Sequence, residues 1–271
     1  MPNLFWEVGV CHTMTLLRRL GNKQAVAKKI LPYFPPHDIY IEPFFGAGGM
    51  FFNKPRAKHN FLNDNDNEVF NLYMVCLEER ERLKFEMSRM PVHQSLWKHW
   101  KDNVPEDRVL KAVRFLFFSN FGYMGKPDTL HQNDNHNKRN LIAEIQDIDF
   151  GDTHFTCDDF EKAIRSITFR GENSWSKLAF VYCDPPYLET GHNYQDGDSW
   201  NKDELARLMD VLAWRECKYA ISEFDNPVVL EMAKARGLNV HVIGERENMK
   251  RNRRTEILIT NYLPPAQMSL F

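Results

Sequence analysis

The run Leu178-Ala179-Phe180-Val181-Tyr182 constrains the fold more than any other stretch, because it is apolar at every position and is cut off by Asp184-Pro185-Pro186. A strand that is apolar at both alternating positions is buried on both faces, the pattern of a parallel sheet held between helices. Neither proline can donate to a ladder, so the chain turns at the strand's carboxyl end. In an open α/β sheet, ligands bind beyond that edge. Asp184, with no local cationic partner, is therefore offered to a cleft. Beside it Tyr187 supplies an aromatic face, and the carbonyls of Asp184 and Pro185 supply fixed acceptors. A carboxylate, a carbonyl and a ring suit a planar base whose exocyclic amine donates two hydrogen bonds while its face is stacked. An ordinary strand-ending turn can carry the same four letters, so the rest of the chain has to decide.

The rest alternates. Gln24 to Leu31 has helix formers with apolar residues three to four apart, ended by the Pro32 to Pro36 cluster, and Ile39-Tyr40-Ile41 is a short strand. Glu42-Pro43-Phe44-Phe45-Gly46-Ala47-Gly48-Gly49 makes a glycine-rich turn into a helix expected from near Met50. Phe61-Leu62 is a second strand, ending in Asn63-Asp64. Further helices are expected over 68–89 (one or two), 108–118, 158–167 with Asp158 or Asp159 as cap, 201–214 and 228–235. Further strands are expected over 219–222, 240–243 and 257–262. Strands alternating with helices predict an α/β fold with a mostly parallel sheet. Residues 1–76 and 151–263 form its core, with Met1 to Arg19 a loosely ordered lead-in. Residues 77–150 read as a mainly helical insertion, within which the all-polar 131–140 run is a surface loop, and 264–271 as a separate tail.

Composition narrows the class. With 43% apolar and 27% charged residues the chain is that of a globular protein. There is neither an 18-residue apolar run nor an apolar stretch after a basic start, so a cytoplasmic location is expected. The five cysteines are widely spaced and include no C-x-x-C pair, which predicts neither a disulfide framework nor a zinc site; no metal is expected. A net charge of −2 means that any nucleic-acid contact must rest on local patches.

The strand, glycine turn and helix at 39–50 form the first half of a nucleotide-binding βαβ unit, in which missing Cβ atoms let backbone approach a ligand. Asp64 lies 18 residues after Gly46, close to the roughly 20-residue offset at which an acid reaches a ribose hydroxyl. Pro43 and two phenylalanines precede the turn where a dinucleotide site would have G-x-G-x-x-G, which favours a nucleoside without a pyrophosphate.

Taken together and in order, five segments and the single residue Asp64 resemble the Dam-type DNA adenine methylases, S-adenosylmethionine-dependent amino-methyltransferases with a DPPY motif. Gly21-Asn22-Lys23 resembles the leading segment, whose lysine touches the methionine end of the cofactor. Glu42 to Gly48 resembles the cofactor loop, and Asp64 matches the ribose-binding acid. Asn120-Phe121-Gly122-Tyr123-Met124-Gly125 resembles a segment in DNA contact, Asp159-Phe160 the residues beside the cofactor's adenine, and Asp184-Pro185-Pro186-Tyr187 the catalytic motif. The resemblance implies a Rossmann-like methyltransferase sheet and S-adenosyl-L-methionine as cofactor. It makes Arg19, Lys23, Glu42, Phe44, Gly46, Gly48, Asp64, Asp159, Phe160 and Asp184 the cofactor-binding candidates. It implies transfer of a methyl group to the exocyclic amine of an adenine flipped from duplex DNA. Two features depart from the pattern: Arg19 stands where the leading segment carries an aromatic, and Pro127 to Asn140 replaces the stretch found in members that read GATC. No target sequence is transferred.

Phosphate contact needs cations, and Arg246 to Arg254 holds five in nine residues. Lys250, Arg251, Arg253 and Arg254 are the leading candidates, with Lys126, Lys138 and Arg139 behind them and Asn120 and Tyr123 for base edges. The pentapeptide Gln267-Met268-Ser269-Leu270-Phe271 resembles the peptide by which bacterial replication proteins dock on the sliding clamp, with Gln267, Leu270 and Phe271 as anchors; a tail folding back on its own domain is the alternative. Three other readings stay open: the cytosine exocyclic amine as acceptor, an RNA substrate, and a non-catalytic, cofactor-sensing DNA-binding subunit.

Overall fold

The structure is a computed structural model that describes residues 16–18, 21–122, 129–130, 135–168, 178–188, 200–247 and 253–265. Its centre is a seven-stranded sheet of β1 (Ile39–Glu42), β2 (His59–Asn63), β3 (Thr153–Thr156), β4 (Ala179–Cys183), β5 (Lys218–Phe224), β6 (Asn239–Glu247) and β7 (Arg253–Thr260). The order is β3-β2-β1-β4-β5-β7-β6. The first five strands pair in parallel, while β7 runs antiparallel between β5 and β6. The carboxyl ends of β1, β2, β4 and β5 therefore share one edge, and the β6–β7 hairpin turns at that same edge.

All five residues of β4 are buried, and they alternate between two cores. Phe180 and Tyr182 face one core, built with Tyr40, Leu62 and Leu258 and with the helices α2 (Asn67–Glu78), α3 (Arg80–Arg89), α4 (Gln94–Asp102), α5 (Arg108–Phe121) and α6 (Asn135–Asp147). Ala179, Val181 and Cys183 face the other, built with α7 (Phe160–Ser166), α8 (Lys202–Trp214) and α9 (Pro227–Ala235). The helices of 77–150 thus share a continuous core with the sheet face above β1 and β4.

Several boundaries differ from expectation. Leu178 is 41% exposed and begins outside the strand. The expected helix near Met50 is one 3₁₀ turn, Phe51–Asn53, because the Asn53 amide reaches back to the Gly49 carbonyl at 2.8 Å and Pro55 follows. The region 24–31 is a single α-helical turn, α1 (Ala27–Ile30), between two 3₁₀ turns. Leu16 and Leu17 are fully buried, so that part of the lead-in is core. The last six residues of the polar 131–140 run belong to α6, where Leu141 and Ile145 farther along pull the helix onto the core. Lys138 bonds the Ser88 and Met90 carbonyls at the end of α3, which spends the charge that had suggested DNA contact. Trp97 and Trp100 pack against Phe117 in the helical core.

Candidate active site

The glycine turn after β1 is held by backbone bonds: Phe45 N–H to the Asn63 carbonyl at 2.9 Å, and Gly48 N–H to the Phe45 carbonyl at 2.8 Å. Gly46 and Gly48 have φ of 51° and 66°, a region L side chains rarely adopt. Asp64, at the end of β2, accepts from Gly46 N–H at 2.6 Å and from Asp66 N–H at 2.9 Å. The ribose-acid candidate and the cofactor loop are therefore one hydrogen-bonded unit. Asn63 completes it by donating to the Pro43 and Asp158 carbonyls and accepting from Thr156 and the Asp158 N–H, which ties the ends of β1, β2 and β3 together.

Gly49 carries the turn against the leading segment. A Cβ there would lie 2.2 Å from Asn22 Oδ1 and 2.9 Å from the Lys23 nitrogen. Lys23 is 3% exposed, and its Nζ lies 2.8 Å from Asp184 Oδ1, 3.5 Å from Glu256 Oε1 and 4.6 Å from the centroid of the Tyr187 ring. Asp184 thus has a cationic partner after all, and it comes from 161 residues earlier in the chain; a local reading of the motif has no access to it. Tyr187 is also less open than its motif suggests. It is 7% exposed, its hydroxyl points at Glu256 Oε1 (3.4 Å), and the Phe224 ring meets it edge-on at 4.5 Å.

Three buried carboxyl groups surround this corner. Glu42 takes the Tyr40 hydroxyl at 2.9 Å; burial, together with the charges of Asp184 and Asp64, pushes its pKa well above the carboxylate range. Glu223 is pushed to about 7, chiefly by burial. Glu256 is 1% exposed and bridges Lys23 and Tyr187. Neither Glu223 nor Glu256 stood out in the sequence: each is the single acid in its strand, and only the adjacency of β5 and β7 gives it meaning.

The remaining candidates fall in several places. Phe44 and Phe160 form an aromatic trio with Trp200, with centroid separations of 5.4–5.8 Å. Asp159 caps α7 and is held by a two-pronged bond from Arg207, whose guanidinium also lies over Phe160 at 4.1 Å. This pairing holds the Asp159 carboxyl below its ordinary range. A cavity of about 210 Å³, lined by Pro43, Asn63, Thr156 and Ser166 among others, adjoins these strand ends; none of the Asp184 corner residues lines it. The Asn120 amide donates to the Leu16 and Leu116 carbonyls at 3.0 and 3.1 Å, which commits it to holding the lead-in on α5. Arg254 is on β7, its guanidinium 5.3 Å from the Phe224 ring. Arg246 and Arg253 likewise belong to strands, not to the loop. Arg19, Tyr123, Lys126, Lys250, Arg251, Gln267, Leu270 and Phe271 lie outside the described residues, as does the side chain of Arg253.

The strand order, the glycine turn with its acid and the Asp-Pro-Pro-Tyr corner define the class: a Rossmann-like methyltransferase sheet with its ligand edge furnished on β1, β2 and β4. The chain belongs to the D12 class N6 adenine-specific DNA methyltransferase family, whose description matches residues 20–250. It is similar to modification methylase StsI of Streptococcus sanguinis, 25% identical over 288 residues covering 91% of this chain and 42% of that protein. The DNA adenine methylase of Salmonella typhi is 22% identical, with 92% of this chain and 95% of that one covered. Type II methyltransferase M.FokI of Planomicrobium okeanokoites is 29% identical over 91% of this chain and 42% of its own length. The chain thus spans well under half of StsI and M.FokI but nearly the whole of the Salmonella methylase. Among solved structures, a candidate methyltransferase of Streptococcus mutans in complex with SAH aligns with a TM-score of 0.40 and 8% identity, covering 88% of this chain and 97% of that one.

Proposed function

We propose that this chain is a site-specific DNA adenine N6-methyltransferase that takes its methyl group from S-adenosyl-L-methionine. The observation that carries the reading is the Asp184–Tyr187 turn at the carboxyl edge of β4, packed against Lys23, whose segment rests directly on Gly49 of the cofactor turn.

The residues present fit such a cofactor. Gly46 has nothing within 4 Å of where its Cβ would stand, Asp64 is fixed beside it, and Phe44 and Phe160 offer rings near the end of β3. Gly46, Gly48, Asp64 and Phe160 would hold the nucleoside end, and Lys23 the charged end. When bound, the cofactor supplies an electrophilic methyl on a sulfonium. Extruding the base from the duplex costs about a few kcal/mol, which Tyr187 offsets by stacking. The Asp184 carboxylate and the Pro185 carbonyl accept hydrogen bonds from the amine's two N–H groups, orienting its lone pair. A carboxylate accepts about four hydrogen bonds, so the Lys23 and amine contacts are compatible. Positioning of this kind supplies several kcal/mol of the rate enhancement.

Residues 1–76 and 151–263 form the catalytic part in this reading, and the 77–150 helices the target-recognition part. Lys250, Arg251, Arg253 and Arg254 meet phosphates from the hairpin at the ligand edge; the direction of β6 and β7 supports this. Among the described residues no helix is long and apolar enough to cross a membrane. A cytoplasmic site of action on DNA is part of the proposal. So is docking of the 264–271 tail on the sliding clamp.

Transfer of tritiated methyl to duplex DNA tests the reading. Asp184→Ala leaves a gap beside Lys23, whose ammonium keeps only Glu256 at 3.5 Å and the Gly21 carbonyl at 3.4 Å, so Asp184→Asn, which keeps the shape and an acceptor oxygen, is the cleaner variant. Single-turnover transfer should fall on the order of 10²–10³-fold in Asp184→Asn. Labelling at the wild-type rate would refute the assignment.

A further inference from the structure

The reaction as described makes no use of Glu223, yet this carboxyl group is fully buried beside the motif. Its Oε1 accepts the N–H of Leu188, the residue directly after Tyr187, at 3.1 Å; its Oε2 accepts the N–H of Phe224 at 2.8 Å. The Phe224 ring in turn meets the Tyr187 ring edge-on at 4.5 Å with an interplanar angle of 85°. One side chain therefore staples the turn that follows the motif to the residue that buttresses the motif's ring. Burying a carboxyl group costs solvation that an apolar residue at this position would not lose, so packing alone does not explain it.

We infer that Glu223 is a positioning residue for methyl transfer. By clamping Leu188 to Phe224 it holds the Tyr187 ring and the Asp184–Pro186 turn in the one arrangement that stacks the base while receiving its amine. The inference rests on the proposed function. Its clamp depends on charge: an ionised carboxylate accepts strongly at both oxygens, whereas a protonated one presents a poorly accepting hydroxyl to one of two N–H donors and weakens that bond. The charged groups facing it are Asp184, just after β4, and Lys23 from the segment before α1; the Tyr187 phenol lies beside it and bonds Glu256 of β7. Burial brings its midpoint to about 7, within the range where enzymes are assayed.

The test is single-turnover methyl transfer to duplex DNA by the full chain between about pH 5.5 and 8.5, for wild type, Glu223→Gln and Glu223→Asp, alongside equilibrium S-adenosylmethionine affinity and circular dichroism. Wild type should slow on the order of tenfold as pH falls through about 7. Glu223→Gln should be slower on the order of ten- to a hundredfold at the alkaline end and nearly flat with pH, while binding cofactor within about twofold of wild type. Glu223→Asp should recover part of the rate and restore a slope. The inference is overturned if Glu223→Gln keeps the wild-type rate and slope, or if its rate loss is matched by an equal loss of cofactor affinity. Should Glu223→Gln fail to fold, a Glu223→Asp profile superimposable on wild type overturns it. A wild-type protein that labels no DNA at any pH would sink the proposed function itself, and this inference with it.

Discussion

Adding a single carbon at Gly49 should disable the site from behind. The Cβ of Gly49→Ala would stand 2.2 Å from Asn22 Oδ1, 2.8 Å from the Gln24 nitrogen and 2.9 Å from the Lys23 nitrogen. The last two are backbone atoms and cannot rotate away, so the Asn22–Gln24 segment must retreat by about half an ångström or more to restore normal contact. Overpacking of this kind costs about 1–3 kcal/mol. Lys23 moves with its backbone, and its Nζ is what neutralises Asp184 at 2.8 Å. Misplacement by about 1 Å at a reacting centre can cost on the order of 10² in rate. Gly237→Ala, between α9 and β6 and outside the site, is the control: nothing lies within 4 Å of its Cβ, and only its φ of 65° is penalised, by about 1 kcal/mol. Calorimetric melting, titration with S-adenosylmethionine and single-turnover transfer read the three quantities. Gly49→Ala should lose cofactor affinity and rate well beyond its loss of stability, whereas Gly237→Ala should lose stability alone. Wild-type affinity and rate in Gly49→Ala would show that the Lys23 segment is not coupled to the glycine turn.

Lys54 is 6% exposed, with Nζ 4.1 Å from the centroid of the Tyr40 ring and 2.8 Å from the Pro55 carbonyl, and burial pulls its pKa down to about 7. A base depressed in the fold loses stability as pH falls from 10.5 towards 7. Lys54→Met should therefore raise unfolding free energy at pH 7 by about 1–3 kcal/mol and remove that slope; a lower melting temperature would show that the ammonium contributes net stability. Deleting residues 267–271 should abolish capture by purified sliding clamp and leave methyl transfer to DNA unchanged, and equal capture with and without the tail would end the clamp proposal.

What was legible in the sequence is what short range encodes. The two-faced burial of β4, the proline stop and the glycine turn follow from residues within ten positions of one another, and the cap Asp159 stands where a side-chain oxygen meets the first free N–H groups. The helix α6 was hidden because its first six residues are all polar and its apolar anchors come only at Leu141 and Ile145. β3 was hidden because its residues, Thr153 to Thr156, are half exposed at a sheet edge. The charge balance of the site was the least legible part, since Lys23, Asp184, Glu223 and Glu256 come from four separate segments that only strand order brings together.

That charge balance also separates what the fold needs from what the reaction needs. A carboxyl group raised from 4.5 to about 7 resists ionisation by about 3 kcal/mol. The sign follows from linkage: below pH 4.5 Glu223 is neutral in the folded and unfolded chain alike, and as pH rises towards 7 the unfolded chain releases its proton first, so stability falls. The fold is therefore most comfortable with Glu223 protonated, while the clamp on Leu188 and Phe224 is complete only when it is ionised. A residue selected for packing would sit on the stable side of that conflict. Its presence beside Tyr187, with Lys23 and the Leu188 and Phe224 N–H groups favouring its ionised form, is the expected mark of a corner in which stability has been given up for the geometry of a reaction.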